Sequence, residues 1–300
     1  MIVSGGVPPL FYWRSHLLKQ RVITAIALLL VLIPAIFAAN PLPFAALMLL
    51  AMGAAAWEWA RLNGLMGATS YVVAAVCLAL CGIAWQKGWT QAALPGLWLA
   101  AGAVWVPMAA YLLKAGVAGW PNIARSVRIV VGVLALWVAW LAVAQAKWMG
   151  VNFLLSVFAL VWVADIGAYF AGRTFGLRFT KNKLAPAISP GKSWEGVWGG
   201  ALGVLVLAGV WCLADRYFGA AVPSLYSRLW AFSPWLMVVA CIFLAGMSVA
   251  GDLVESLVKR SAGMKDSSNL LPGHGGVLDR IDALLPTLPL AMMLLQFLDK

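Results

Sequence analysis

Residues 233–256 read SPWLMVVACIFLAGMSVAGDLVES. The run carries no charge before Asp252, and its length matches the roughly 20 apolar residues that take a helix through a bilayer core. Eight comparable runs accompany it, near 22–39, 42–60, 69–86, 93–113, 128–146, 149–170, 196–214 and 282–298. The last is short and holds Pro286 and Pro289, which should kink it or delay its start. Composition agrees. Of 300 residues 64% are hydrophobic and 10% are charged, and 17 are tryptophan. Water-soluble domains hold about 45–50% apolar and about 25% charged residues. The solvent for this surface is therefore lipid, and the indole rings suit its interfaces. The expected fold is all-α and polytopic, with about nine transmembrane spans. A region 1–150 would hold about five spans. A region 151–300 would hold the others and two polar loops, near 171–195 and 257–281. No repeat, low-complexity tract or soluble domain stands out, and the first twenty residues lack the pattern of a cleaved signal.

The net charge is +11. In a soluble protein that would raise nucleic acid as a partner. Here the basic residues sit between apolar runs, so they report topology and anionic headgroups, and nucleic acid is set aside. With the N-terminus cytoplasmic, sixteen Lys and Arg fall in cytoplasmic segments, and five (Lys87, Lys147, Arg216, Arg228 and Lys300) fall opposite. That bias supports nine spans and places both polar loops on the cytoplasmic face. Cys77 and Cys81 share a helix face, but no further Cys or His lies near them, so they read as small buried hydrophobes.

Eight of the ten acidic residues lie from 165 to 282. Asp165, Asp252 and Glu255 fall within apolar runs, where a carboxylate needs a partner, a metal or a wet cavity. On a helix, Asp252, Glu255, Ser256 and Lys259 form one polar stripe beside an apolar face of Leu253, Val254, Leu257 and Val258. Pro272-Gly-His274-Gly275-Gly276 must be a loop, and its backbone N–H groups would suit the approach of a phosphate. His274 could bind that phosphate or protonate a leaving group. Asp279 and Asp282 follow at i, i+3 near a helix start. With Asp252 they would make a three-carboxylate oxygen site fitted to magnesium. For the same residues the alternative is an Asp279 that caps the helix and an Asp282–Arg280 pair at the surface. Gly191-Lys192-Ser193 is not a P-loop, because Pro186 stands where that motif needs glycine and no strand precedes it. It reads instead as a basic loop opening a helix, suited to an anion. No Ser-His-Asp or Cys-His pattern has usable spacing.

At these residues the chain resembles the phosphatidate cytidylyltransferase (CDP-diacylglycerol synthase) family. The family's C-terminal signature is matched by Ser256, Lys259-Arg260, Lys265-Asp266, Pro272 to Gly276 and Asp279-Arg280-Ile281-Asp282. Upstream, Ala164-Asp165-Ile-Gly167-Ala-Tyr169, the segment from Ile188 to Gly196 and the opening Leu18 to Thr24 also look like the family's. Ile166, Ser268 and Ala283 depart from it, standing where threonine, glycine and serine are common. The resemblance implies that CTP and phosphatidic acid yield CDP-diacylglycerol and pyrophosphate. It implies one or two Mg2+ ions on Asp252, Asp279 and Asp282, with room for a monovalent ion. Lys259, Arg260, Lys265 and Arg280 would neutralise phosphates. Asp266 would hold Lys265 or a metal. Ser189 and Lys192 would face nucleotide or pyrophosphate, and Asp165, Glu195, Glu255, Ser256, Gly275 and Gly276 would line the substrate. The protein would be a multi-pass component of a bacterial inner membrane, with a homodimer left open. Two rivals carry less weight. Another lipid phosphotransferase would be a CTP-dependent lipid kinase or a CDP-alcohol phosphotransferase, and the latter's pattern, Asp-Gly-x-x-Ala-Arg with two later aspartates at four-residue spacing, is not found. An ion-coupled transporter should show two related halves.

Overall fold

The computed structural model describes the backbone of residues 10–298 and the side chains of residues 20–298. The side chains of Arg14 and Lys19, and Lys300, which entered the charge pattern, lie outside the described residues. The described residues are helical and contain no strand. Among the described residues, eight helices are long and apolar enough to cross a membrane: α1 (Leu10–Phe37), α2 (Leu42–Leu62), α3 (Ala68–Gln86), α4 (Pro95–Gly119), α5 (Arg125–Met149), α6 (Val151–Phe175), α7 (Trp194–Phe218) and α9 (Pro234–Ser261). A 3-10 turn, Trp120–Asn122, links α4 to α5. The chain is an integral, multi-pass membrane protein.

Three short helices complete it: α8 (Leu225–Phe232), α10 (Leu278–Ile281) and α11 (Leu284–Leu295). The ninth apolar run differs from expectation. It forms α11, whose 12 residues rise about 18 Å, with αR backbone continuing through Asp282 and Ala283 to α10. Most of α11 is buried in protein, from Leu285 to Met292 and at Leu295. Its hydrophobicity serves packing against α4, α5 and α9. Thr287 Oγ1 donates to Ala283 O at 2.6 Å, so its one hydroxyl is satisfied within the helix.

Two arrangements position the site. α6 and α7 form a close hairpin along a glycine stripe. A Cβ on Gly200 would lie 2.6 Å from Ala164 O, and one on Gly196 would lie 2.9 Å from Ala168 O. Small residues let backbones approach in lipid, where apolar burial alone does not drive helices together. α9 then packs against α4, α6, α7, α8 and α11, which makes it the central strut. At the far end of the bundle, Lys147 is buried and donates to Ile36 O (2.5 Å) and Ala38 O (2.9 Å), closing the end of α1. Asp215 accepts there from Asn152, Ser227 and the Ser224 N–H. These charges are structural.

Candidate active site

The polar stripe of α9 forms as the spacing requires. Asp252 Oδ1 accepts from Ser256 Oγ at 3.2 Å, and Asp252 Oδ2 lies 2.6 Å from Lys192 Nζ. Lys192 belongs to the connection between α6 and α7, so this pair ties the basic loop to α9. One turn on, Lys259 Nζ sits 2.5 Å from both Glu255 Oε2 and Asp279 Oδ1. Glu255 is buried, and its Oε1 has no hydrogen-bond partner.

A cavity of 340 Å³ opens between α6, the loop and α9, with Asp165, Tyr169, Lys192, Ser193 and Asp252 in its wall. Asp165, Lys192 and Asp252 are thus brought together. Asp282 stands near them, between α10 and α11. Its carboxyl is pushed up to about 8, by burial first and then by the Asp252 charge, with Asp165 adding a smaller repulsion. Its Oδ1 accepts from the Ala283 N–H at 2.7 Å.

Asp279 behaves otherwise. Its Oδ2 accepts from Ser267 N (2.9 Å), Ser267 Oγ (2.8 Å) and Gly276 N (2.7 Å), while its Oδ1 takes Lys259. Burial alone would raise this carboxyl, but Lys259 and the two backbone N–H groups outweigh it and hold it below the usual range. Both oxygens are spent on protein donors. The set Asp252, Asp279 and Asp282 therefore does not converge. Among the described residues no three His, Cys, Asp or Glu side chains are grouped to hold a metal. The capping alternative does not describe the pair either: α10 has no side-chain cap, and Arg280 donates to His274 O at 2.6 Å and not to Asp282.

The glycine loop is built for the same carboxylates. Gly273 and Gly275 have φ of +77° and +84°, and the Leu271 N–H closes the turn on Gly275 O at 2.8 Å. A Cβ on Gly275 would lie 2.8 Å from Asp279 Oδ2, and one on Gly276 would overlap Ser267 Oγ. These glycines make room for a carboxylate and a hydroxyl of the protein itself. The Gly276 N–H, expected to face a phosphate, is taken by Asp279. His274 Nδ1 is buried without a partner.

The residue that sequence reasoning missed is Glu58 on α2. It is fully buried, and three donors converge on it. Oε1 accepts from Ser268 Oγ (2.5 Å) and Val277 N (2.9 Å); Oε2 accepts from Leu278 N (2.7 Å), with Ser267 Oγ, whose proton goes to Asp279, 3.2 Å away. The departure at Ser268 is thereby explained, since its hydroxyl adds a donor to Glu58. From α1, Arg21 Nε donates to Gly273 O (3.0 Å) and Thr24 Oγ1 to Pro272 O (2.9 Å). The opening motif thus holds the C-terminal loop. The available signal was an acid inside the 42–60 apolar run.

Other expected site residues fall elsewhere. Glu195 is buried and its Oε1 accepts from Phe179 N, Thr180 N and Thr180 Oγ1, so it pins the α6–α7 connection and does not line the cavity. Arg260 reaches Ile188 O and Met264 O at 3.4 Å each, bridging the two loops near the half-buried Ser189. Lys265 and Asp266 line a separate polar pocket with Arg61 and Asn269.

Residues 19–298 match the model of the cytidylyltransferase family. A phosphatidate cytidylyltransferase of Pseudomonas aeruginosa is 39% identical over 284 residues, covering 93% of this chain and 97% of that protein. One from Haemophilus influenzae is 36% identical over 303 residues, covering 91% and 96%. One from Brucella suis is 45% identical over 135 residues, covering 45% of this chain and 43% of that protein.

Proposed function

Because this chain belongs to the cytidylyltransferase family, we propose that it transfers cytidylyl from CTP to phosphatidate, giving CDP-diacylglycerol and pyrophosphate. The observation that carries this is the near full-length match to proteins of that name. The geometry supports it. An oxygen of the lipid phosphate forms a bond to the α-phosphorus of CTP as the bond to pyrophosphate breaks. Both reactants are anions, and the lipid phosphate is already ionised, so the protein's task is to neutralise and align them. Lys192 projects into the cavity beside Asp165 and Asp252, where it can exchange its carboxylate partner for a phosphate. Lys259 and Asp279 keep the end of α9 fixed against the glycine loop, and Arg260 fixes that loop to the α6–α7 connection.

A divalent ion fits the donor set. Asp252 and Asp282 are hard oxygen donors, and a cation held by them would relieve the repulsion that Asp252 adds to the effect of burial on the Asp282 carboxyl. Mg2+ held there would supply charge neutralisation, with substrate phosphates and water completing its shell. The site lies on the cytoplasmic face of a bacterial inner membrane, with the N-terminus on the same side. The bias of basic residues towards that face supports this.

The test uses membranes containing the protein, CTP labelled at the α-phosphate, and extraction into chloroform. Label should enter lipid only with phosphatidate and a divalent ion together. Lipid that stays unlabelled under those conditions would remove the proposal.

A further inference from the structure

Asp165, Tyr169 and Arg173 stand at i, i+4 and i+8 on α6, a stripe that climbs from the wall of the polar cavity to the helix's last turn. The chemistry proposed above gives Tyr169 and Arg173 no part. Tyr169 lines the cavity beside Lys192 and Ser193, and 58% of it is exposed, so it is no piece of the core. Its hydroxyl oxygen accepts from Arg173 Nη1 at 2.8 Å.

The direction of that bond leaves donors over. The nitrogen gives its proton, so the phenol O–H is still free to donate, and among the described residues nothing accepts from it. The guanidinium keeps its other N–H groups. Ser193 repeats the pattern. It is buried in the same wall, and its Oγ accepts from the Gly196 N–H at 3.1 Å as the cap of α7, which leaves its own proton unspent. Asp165, one turn deeper on α6, is the acceptor end of the stripe. From Tyr169 outward the unspent protons face a ligand that must be rich in acceptor oxygens. A phosphate group is that ligand, and a guanidinium can meet two of its oxygens at once. Helix stability does not account for the pair, because an i, i+4 contact on an exposed face adds little. Anchoring a helix at the membrane interface needs the aromatic ring alone.

Resting on the reaction proposed above, we propose that Tyr169 and Arg173 form a phosphate-binding rim of the polar cavity, with Ser193 as a further donor, while Lys192 meets the reacting phosphate. Two sources share this chemistry. The outer phosphates of the nucleotide leave as pyrophosphate, and donors upon them would offset the charge that develops there. The lipid phosphate arrives from the bilayer, towards which Ile166 and Phe170 of the same helix are exposed.

Binding is measured on the full-length protein in detergent, with magnesium present and one ligand at a time, so that no cytidylyl is transferred. The probes are pyrophosphate, CTP, CMP and dioctanoyl-phosphatidate. Arg173→Gln should weaken pyrophosphate and CTP about tenfold and leave CMP unmoved where the nucleotide is the source; a tenfold loss for phosphatidate alone names the lipid. Tyr169→Phe, which keeps the ring, should weaken the same probe about threefold. Arg173→Lys should recover part of the loss. No change in any probe makes the pair a surface contact, and an equal loss for all four makes it structural; either result overturns the proposal. Turnover is scored apart. A wild type that makes CDP-diacylglycerol while both variants bind as it does keeps the reaction and loses the rim. A wild type whose phosphate binding depends on Arg173 but whose lipid stays unlabelled keeps the rim and loses the reaction.

Discussion

At Glu58 three donors converge on one buried carboxylate, so replacing it with glutamine must set an amide N–H against a backbone N–H. Losing a hydrogen bond to a charged group costs about 1.5–3 kcal/mol. Glu58→Gln should therefore loosen 262–277 without unfolding the bundle. Limited proteolysis should cut that loop faster and turnover should fall, while helical circular dichroism stays constant. Unchanged cleavage and unchanged turnover would show that the carboxylate does not hold the loop. Asp282→Asn tests the opposite kind of acid. Asp282 keeps one oxygen unclaimed by the protein, whereas Asp279 keeps none. Asp282→Asn should abolish turnover in a protein that extracts and migrates like the wild type; full activity would remove Asp282 from the metal site. The sequence presents Asp279 and Asp282 as equals, because spacing says which face a side chain shares and not what meets it there. The role of Glu58 was unreadable for a related reason, although its place in an apolar run marked it. Its partners stand 209 to 220 positions away, beyond any local pattern.

Among the elements, the α6–α7 hairpin carries the wall that presents Asp165 and the Lys192 loop to α9. Gly200→Leu would drive a side chain into Ala164 O, which lies 2.6 Å from a bare Cβ, whereas nothing stands within 4 Å of a Cβ on Gly209 of the same helix. Overpacking of this kind costs about 1–3 kcal/mol. Gly200→Leu should lower the thermal midpoint in detergent and reduce turnover, with Gly209→Leu near wild type in both. Equal effects would mean that helix propensity and not interhelical approach is at stake. The nine apolar runs were legible because lipid and protein interiors both demand hydrocarbon. That shared demand is also why composition does not tell whether α11 meets lipid or protein. A run of Leu, Pro and Met buried by α4, α5 and α9 has the same composition as one bathed in lipid, and only its 12-residue length separates them. The eight residues of α8 were too few to register as a span.

For the molecule as a whole, counting charges between spans is circular, since one missed span inverts every later segment. Contacts remove that dependence. Arg21 of α1 and Glu58 of α2 both hold the 262–277 loop, and Arg260 binds Ile188 in the α6–α7 connection. The start of the first span, the end of the second and both polar loops must then share one side, however many helices cross elsewhere. Gln91 lies beyond α3, and Ala221 lies between α7 and α8, so each is one crossing away. Single cysteines at Ala187, Asn269, Gln91 and Ala221, all exposed, test this in a background with the four native cysteines replaced. In intact cells, Gln91→Cys and Ala221→Cys should react with a membrane-impermeant maleimide. Ala187→Cys and Asn269→Cys should react only after the membrane is opened. Two failures would be told apart. If all four react in the reverse sense, the bundle stands and only the cytoplasmic assignment falls. If Ala187→Cys and Asn269→Cys differ from each other, the Arg260–Ile188 contact is wrong, and with it the two-walled cavity on which the proposed chemistry rests.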